Sequence, residues 1–343
     1  MENIEEIDAQ RINGWLDLDS YFIKRLGRPF EDQEDLENNG LIATDNRGVY
    51  SKFWILDEEG NKIALFKTQD FGSDEAYAEL FSEEVAKILG MPAAHYDLAK
   101  FDREEGVISY NFIKEFDTYY PGFDVIAEFY ENNLEGNEEL NKLYGIDYYN
   151  DDLDKVTDKL NNLEDIWIIL ERKYKKHADR KYIVSKIMNG MVDKLIFDIL
   201  MVNVDDHCDN WGIFDEIEEG RMASPQFDNS HVLNLQKNIL TEHFVFDQTI
   251  EDKELRFTVD NTGAKKPLEV LKYFLDISSS EFTDLVRDKV NTLKEHVDEI
   301  PIIIETRTKQ DMPDYLKEYF ISTMHDHLDK VSDIVDSKSK GTK

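Results

Sequence analysis

The chain has 343 residues, 41% hydrophobic and 12% aromatic, which excludes wholesale disorder and corresponds to two domains or one domain of two lobes. Its 40 Lys+Arg against 74 Asp+Glu leave a formal net charge of −34. That balance argues against direct nucleic-acid binding and against docking on an anionic membrane, since both draw affinity from cationic side chains.

Met1–Gln10 is acidic and has neither a basic n-region nor an apolar h-region, so no signal peptide is expected. This stretch and the polar Ser337–Lys343 read as tails. Residues 50–67 predict a β-hairpin. Ser51–Leu56 is aromatic and β-branched, Asp57–Asn61 supplies the turn, and Lys62–Lys67 alternates, with Ile63, Leu65 and Lys67 on one face and Ala64 and Phe66 on the other. The polar Thr44–Lys52, which contains Gly48, leads into it. A helix is expected over 74–90, where Tyr77, Phe81, Val85, Ile88 and Leu89 recur at helical spacing and Gly90 followed by Pro92 stops the run. Strands at 95–101 and 107–113 complete a small antiparallel sheet with one principal helix, so residues 1–115 form an N-terminal lobe.

Residues 116–150 are acidic and rich in Tyr and Asn, with no clean period. Helices are predicted at 153–176, 181–202, 267–298 and 312–336, with loops and short strands near 203–260, so residues 116–343 form a mostly helical C-terminal lobe and the fold class is α+β. The longest apolar runs, Ile166–Leu170 and Ile302–Ile304, are far too short for a membrane span, and the single cysteine, Cys208, suits a reducing compartment. A cytoplasmic location follows as the expectation.

The densest polar signal is Asn203–Phe214, where a helix runs into Asn-Val-Asp-Asp-His-Cys-Asp-Asn and then a short apolar strand. Pro225–Ser230 then sets Asp228 beside Phe227. Phosphoryl transfer needs a carboxylate to orient the attacking hydroxyl, hard oxygen ligands for Mg²⁺ and a cation on the phosphates. Asp205 and Asn210 stand five positions apart, the Asp-to-Asn interval of a kinase catalytic loop, and Asp228 takes the place of the second metal-binding carboxylate. Lys67 is the candidate for the α- and β-phosphates, with Glu79 or Glu83, one turn apart on the next helix, to hold it. His207 reads as an orienting residue, because a carboxylate already fills the role of base. Zinc is disfavoured, since no ligand pair has structural spacing, and neighbouring carboxylates disfavour Cys208 as a nucleophile. Trp54 and Trp211 read as core.

The run Asn-x-Asp-Asp-His-x-x-Asn followed by Phe-Asp-Asn-Ser resembles the HipA-like serine/threonine kinases, and Glu75–Pro92 and Ile63–Lys67 are similar to that family's N-lobe helix and ATP-lysine strand. The resemblance covers roughly residues 45–235. It implies a bilobal protein-kinase-like fold that uses ATP and Mg²⁺, with Asp205 as catalytic Asp, His207 as loop histidine, Asn210 and Asp228 as Mg²⁺ ligands and Lys67 as ATP lysine. Counting back from Ile88–Pro92, it selects Glu79 as the helix Glu. It sets Gly48, Ser51 and Lys52 in the phosphate-covering loop and Asn111, Phe112 and Ile113 at the adenine hinge. The implied partners are ATP, a protein acceptor with Ser or Thr, and an antitoxin-like regulatory protein. Two departures stand out. The loop is poor in glycine, and the stretch ahead of the hairpin is shorter than the subdomain with which the founding toxin kinases contact their antitoxin. Alternative readings are a small-molecule or lipid kinase, a non-catalytic nucleotide-binding regulatory module, and a Mg²⁺-dependent hydrolase.

Overall fold

The computed structural model describes all residues except 1–6, 46–50, 70–72, 115–117, 136, 148–150, 215–222, 236–248, 261–262, 264 and 342–343. The N-terminal part runs β1 (Arg11–Ile12), β2 (Trp15–Asp17), α1 (Leu18–Leu26), α2 (Gln33–Asn38), β3 (Ile42–Thr44), β4 (Lys52–Leu56), β5 (Lys62–Thr68), α3 (Glu75–Ile88), β6 (Tyr96–Phe101) and β7 (Glu104–Tyr110). Its strands form a seven-stranded sheet in the order β1-β2-β6-β7-β5-β4-β3. Neighbours are antiparallel except β2 and β6, which run parallel.

Alternation along β5 sends Ala64 and Phe66 into a core on one side of the sheet, where Phe53, Phe101 and Ile108 meet Leu18 and Phe22 of α1 and Leu36 of α2. Asp17 caps α1 by accepting from the Ser20 N–H, and Gly27 ends it with φ 69°. The other side of the sheet, with Leu98 and Val107, packs on α3 and belongs to a much larger core. Within it Phe81 of α3 stacks on Phe320 with ring centroids 4.0 Å apart.

The C-terminal part runs β8 (Tyr119–Pro121), α4 (Gly122–Phe129) with a π-helical turn Tyr130–Leu134, α5 (Glu138–Leu143), α6 (Leu153–Leu160), α7 (Leu163–Lys173), α8 (Arg180–Met201), β9 (Gly212–Phe214), α9 (Thr249–Asp252), α10 (Pro267–Ile277), α11 (Ser280–His296), α12 (Ile300–Thr308) and α13 (Asp314–Gly341). β8 and β9 pair antiparallel. No described helix is long and apolar enough to cross a membrane.

Several elements depart from expectation for local reasons. The helix expected at 153–176 breaks at Asn161 and Asn162, because Asn162 leaves helical geometry to accept the Asp165 N–H as an N-cap. The helix expected at 267–298 breaks at Ser278 and Ser279, both extended. The strand expected at 107–113 instead covers 104–110. The β6–β7 turn is made by Asp102 and Arg103, both at positive φ, without a glycine. Residues 11–44, with no strong period, contribute three strands and two helices.

Candidate active site

Lys67 stands near the end of β5, facing away from Phe66, with Lys52 of β4 across from it. The sheet is tight here: at Gly106 of β7 a Cβ would lie 2.2 Å from the Lys67 carbonyl oxygen. The Lys67 ammonium donates to Asp228 Oδ1 at 2.9 Å and to Ser230 Oγ at 3.2 Å, joining positions 161 residues apart. Burial alone would lower the lysine's pKa, but the charges of Asp228 and then Glu79 outweigh it and hold it raised. Burial likewise opposes ionisation of Asp228, yet Lys67 first and Lys52 next keep its carboxyl below the usual range.

The two glutamates of α3 have different surroundings. Glu79 is buried, and its Oε2 accepts the Asn229 N–H at 2.8 Å. It also accepts from the Tyr96 hydroxyl, which in turn accepts the Asp228 N–H at 3.0 Å. Burial and then the neighbouring Asp228 push the Glu79 carboxyl up to about 7, with Lys67 pulling the other way. Glu83 is bound to the scaffold: Oε1 meets Lys87 and His95, each at 2.6 Å, and Oε2 meets Arg307 of α12 at 2.7 Å and the Tyr96 N–H at 3.1 Å. Against its burial, the His95 hydrogen bond and the Arg307 charge hold it down at about 2. The glutamate turned toward Lys67 and Asp228 is therefore Glu79.

The loop after α8 begins with Val202 in the left-handed region (φ 50°), a costly conformation for a β-branched residue, and the Asn203 N–H closes back on the Asp198 carbonyl at 3.0 Å. His207 Nδ1 accepts the Asp209 N–H at 3.2 Å and so braces the 3₁₀ turn Cys208–Asn210. Asn210 Nδ2 donates to the backbone carbonyls of Asp205, at 2.9 Å, and Asp228, at 3.4 Å, which ties the two aspartates together. Its Oδ1 is buried without a hydrogen-bond donor. An unpartnered amide oxygen on the side chain that holds the Asp228 carbonyl is the hard-oxygen chemistry that suits Mg²⁺. Among the described residues no group of three or more His, Cys, Asp and Glu side chains could hold a metal by itself.

Asp205 carries two ion pairs, His231 Nδ1 to Oδ2 and Arg256 Nη1 to Oδ1, each at 3.0 Å. Burial would raise its pKa, but His231 and then His207 and Arg256 bring the carboxyl down to about 2. Beneath the loop lies a sealed cluster. Lys194 and Asp206 pair at 3.0 Å, and burial together with Asp206 pushes the nearby Asp198 carboxyl well up. Asn161, freed by the α6–α7 break, donates to the Asp206 carbonyl at 3.0 Å and accepts the Trp211 indole N–H at 2.8 Å.

Of the nucleotide-contact candidates, Gly48 lies outside the described residues. Ser51 is exposed, and its carbonyl accepts the Thr68 N–H at 3.1 Å. Asn111 donates from its side chain to the Lys62 carbonyl at 2.8 Å and accepts the Ile113 N–H at 3.0 Å, folding the chain out of β7. Phe112 packs on Phe227, next to Asp228, with ring centroids 5.2 Å apart. The structure thus gathers Lys67, Lys52, Glu79, Asp205, His207, Asn210 and Asp228 around one site. Sequence reasoning missed Tyr96, Lys194, Asp198, His231 and Arg256. Only Lys194 and Asp198 left a local signal, as opposite charges four apart inside an apolar helix.

A sheet lysine is thus paired to a carboxylate that follows an Asp–Asn loop, residue types that phosphoryl transfer calls for. A solved structure shares the fold. The crystal structure of the proinflammatory kinase CtkA of Helicobacter pylori aligns over 87% of this chain and 96% of its own, with a TM-score of 0.56 at 14% identity. HipA of Shewanella oneidensis MR-1, solved as a toxin–antitoxin complex with HipB and operator DNA, aligns over 92% of this chain and 72% of its own, with a TM-score of 0.47 and 16% identity. No protein-family model and no curated protein sequence matches the chain. The chain is α+β, and its fold is similar to that of the CtkA kinase structure.

Proposed function

We propose that this chain is an ATP- and Mg²⁺-dependent phosphotransferase that transfers the γ-phosphoryl group to a serine or threonine hydroxyl of a protein. The observation that carries the reading is the Lys67–Asp228 pair at 2.9 Å, closing 161 residues of chain, with Asn210 tied by its Nδ2 to the Asp228 backbone and its Oδ1 unpartnered. Nucleotide would lie between the lobes formed by 1–115 and 116–343, with Gly48, Ser51 and Lys52 over the phosphates and Asn111–Ile113 at the adenine. Asn210 Oδ1 and the Asp228 carboxylate would hold Mg²⁺, whose chemistry is to neutralise charge on the phosphate oxygens. Lys67 would then exchange Asp228 for the α- and β-phosphates, and Glu79, already within reach of its charge, would keep the ammonium in place. Asp205 would orient the acceptor hydroxyl and take its proton as the new P–O bond forms and the bond to the bridging oxygen breaks, releasing ADP. His207 would brace the loop. Catalysis would then rest on positioning and charge.

A protein acceptor is favoured over an anionic lipid by the net charge of −34. The Cys208 thiol, pushed up to about 12 by burial, is unsuited to a nucleophilic role. The test is incubation of the full chain with Mg²⁺ and ATP, alone and with casein, followed by mass spectrometry. Phosphorylated Ser or Thr in wild type and none in Asp205→Ala is the expected result. Equal incorporation in both refutes the reading.

A further inference from the structure

Beside Asp205 stand a histidine and an arginine, His231 and Arg256, that the kinase reading leaves without a task. The backbone of Asp205 is fixed, since its N–H donates to Asn203 Oδ1 at 3.4 Å and its carbonyl accepts the His207 N–H and Asn210 Nδ2, both at 2.9 Å. The direction of its carboxylate is then set by what holds the two oxygens. His231 has Oδ2 and Arg256 has Oδ1. A hydroxyl can be oriented only from within hydrogen-bond reach of one of them, and each already has a nitrogen against it, on an Asp205 side chain that is 37% exposed.

The two holders are not equally fixed. His231 sits between the buried Asn229–Ser230 and the buried turn Val232–Asn234, its side chain is 26% exposed, and its far nitrogen lies 4.0 Å from buried Glu75 of α3. Its ring is wedged from both ends. The Arg256 side chain is 41% exposed, on an irregular segment between α9 and α10, and its second nitrogen holds the exposed Asp158 at 2.8 Å. An exposed ion pair of this kind competes with water and is readily broken, whereas Asp158 keeps the guanidinium close by once it has let go.

We propose, on the kinase reading above, that the two oxygens of Asp205 have separate tasks. His231 is a positioning residue that fixes the carboxylate through Oδ2, and Arg256 is a latch over Oδ1 that the incoming acceptor displaces. His231 stays in place through the cycle. Arg256 swings toward Asp158 and uncovers the oxygen that meets the hydroxyl. The latch also makes acceptor entry carry a penalty, because only the open fraction of the protein is competent to receive it.

The test measures Mg·ATP affinity and the kcat and acceptor KM for casein in full-length wild type, His231→Ala, His231→Asn, Arg256→Ala and Asp205→Ala. His231→Ala is expected to lose about 10- to 100-fold in kcat at unchanged Mg·ATP affinity, the size of effect a misplaced catalytic group gives. His231→Asn, which restores a side-chain N–H, recovers part of that loss, as a purely structural role would not. Arg256→Ala is expected to gain about three- to tenfold in kcat/KM for the acceptor. Wild-type kcat in His231→Ala overturns the positioning role. Loss in Arg256→Ala toward the Asp205→Ala level, with nucleotide still bound, overturns the latch. A wild-type chain that neither binds Mg·ATP nor transfers phosphate overturns the kinase reading itself and the latch with it, an outcome separate from the other two.

Discussion

Two lysine–aspartate pairs lie around the loop after α8 at nearly the same length. Lys67 meets Asp228 at 2.9 Å and Lys194 meets Asp206 at 3.0 Å. Their surroundings separate them. The first pair is partly open, with side chains 17% and 45% exposed; the second is sealed, at 4% and 0%. A pair at an opening can trade partners, because water, phosphate or a metal can replace either member. A sealed pair cannot, since removing one member strands a charge in a low-dielectric interior. The open pair is therefore suited to act as a site on the proposed reading, and the sealed one to support it, tied to the loop through Asn161 and Trp211.

That contrast can be broken most sharply at the open pair. Asp228→Ala is expected to reduce phosphoryl transfer by at least about 10²- to 10³-fold, while its urea midpoint stays near wild type. A collapse of stability would make Asp228 foundation instead. At the sealed pair the outcome reverses: Asp206→Ala, read by urea unfolding, is expected to lose about 3–5 kcal/mol. The double change Lys194→Met with Asp206→Leu should restore much of that, and if it does not, the charges themselves support the loop.

The same logic separates Glu83 from Glu79. The carboxyl of Glu83 is held at about 2 against its ordinary 4.5, so its contribution is complete above pH 4.5 and disappears as pH falls toward 2. Glu83→Gln should cost on the order of 3 kcal/mol at pH 7 and little near pH 2. Equal costs at the two pH values would remove the charge from the explanation. The smallest expected effect is at Gly106. Its alanine variant drives a Cβ toward the Lys67 carbonyl and should cost about 1–3 kcal/mol, with weaker Mg·ATP binding as Lys67 shifts.

What could be read ahead of the structure follows from how local each signal is. β5 was legible because alternation marks a half-buried strand, and β4 because its run is aromatic and β-branched. Strands of two or three residues such as β1, β2 and β3 are too short to show any period, so the outer part of the sheet and its parallel pairing stayed hidden. The α6–α7 break hides in a continuous apolar pattern, although Asn162 three residues before Asp165 is a capping signal. Lys67, Asp205, Asn210 and Asp228 were visible because motif order carries them. Arg256 and His231 were not, since each reaches Asp205 across 51 and 26 intervening steps of chain with no pattern of their own.

The most direct measurement is calorimetric titration of the full chain with ATP, with and without Mg²⁺, in wild type and in Asp228→Asn. Saturable binding that requires Mg²⁺ in wild type and is lost in Asp228→Asn is the predicted result. Binding that is indifferent to the metal and to position 228, or no binding by a folded wild-type chain, would contradict a magnesium–triphosphate site built from Lys67, Asn210 and Asp228.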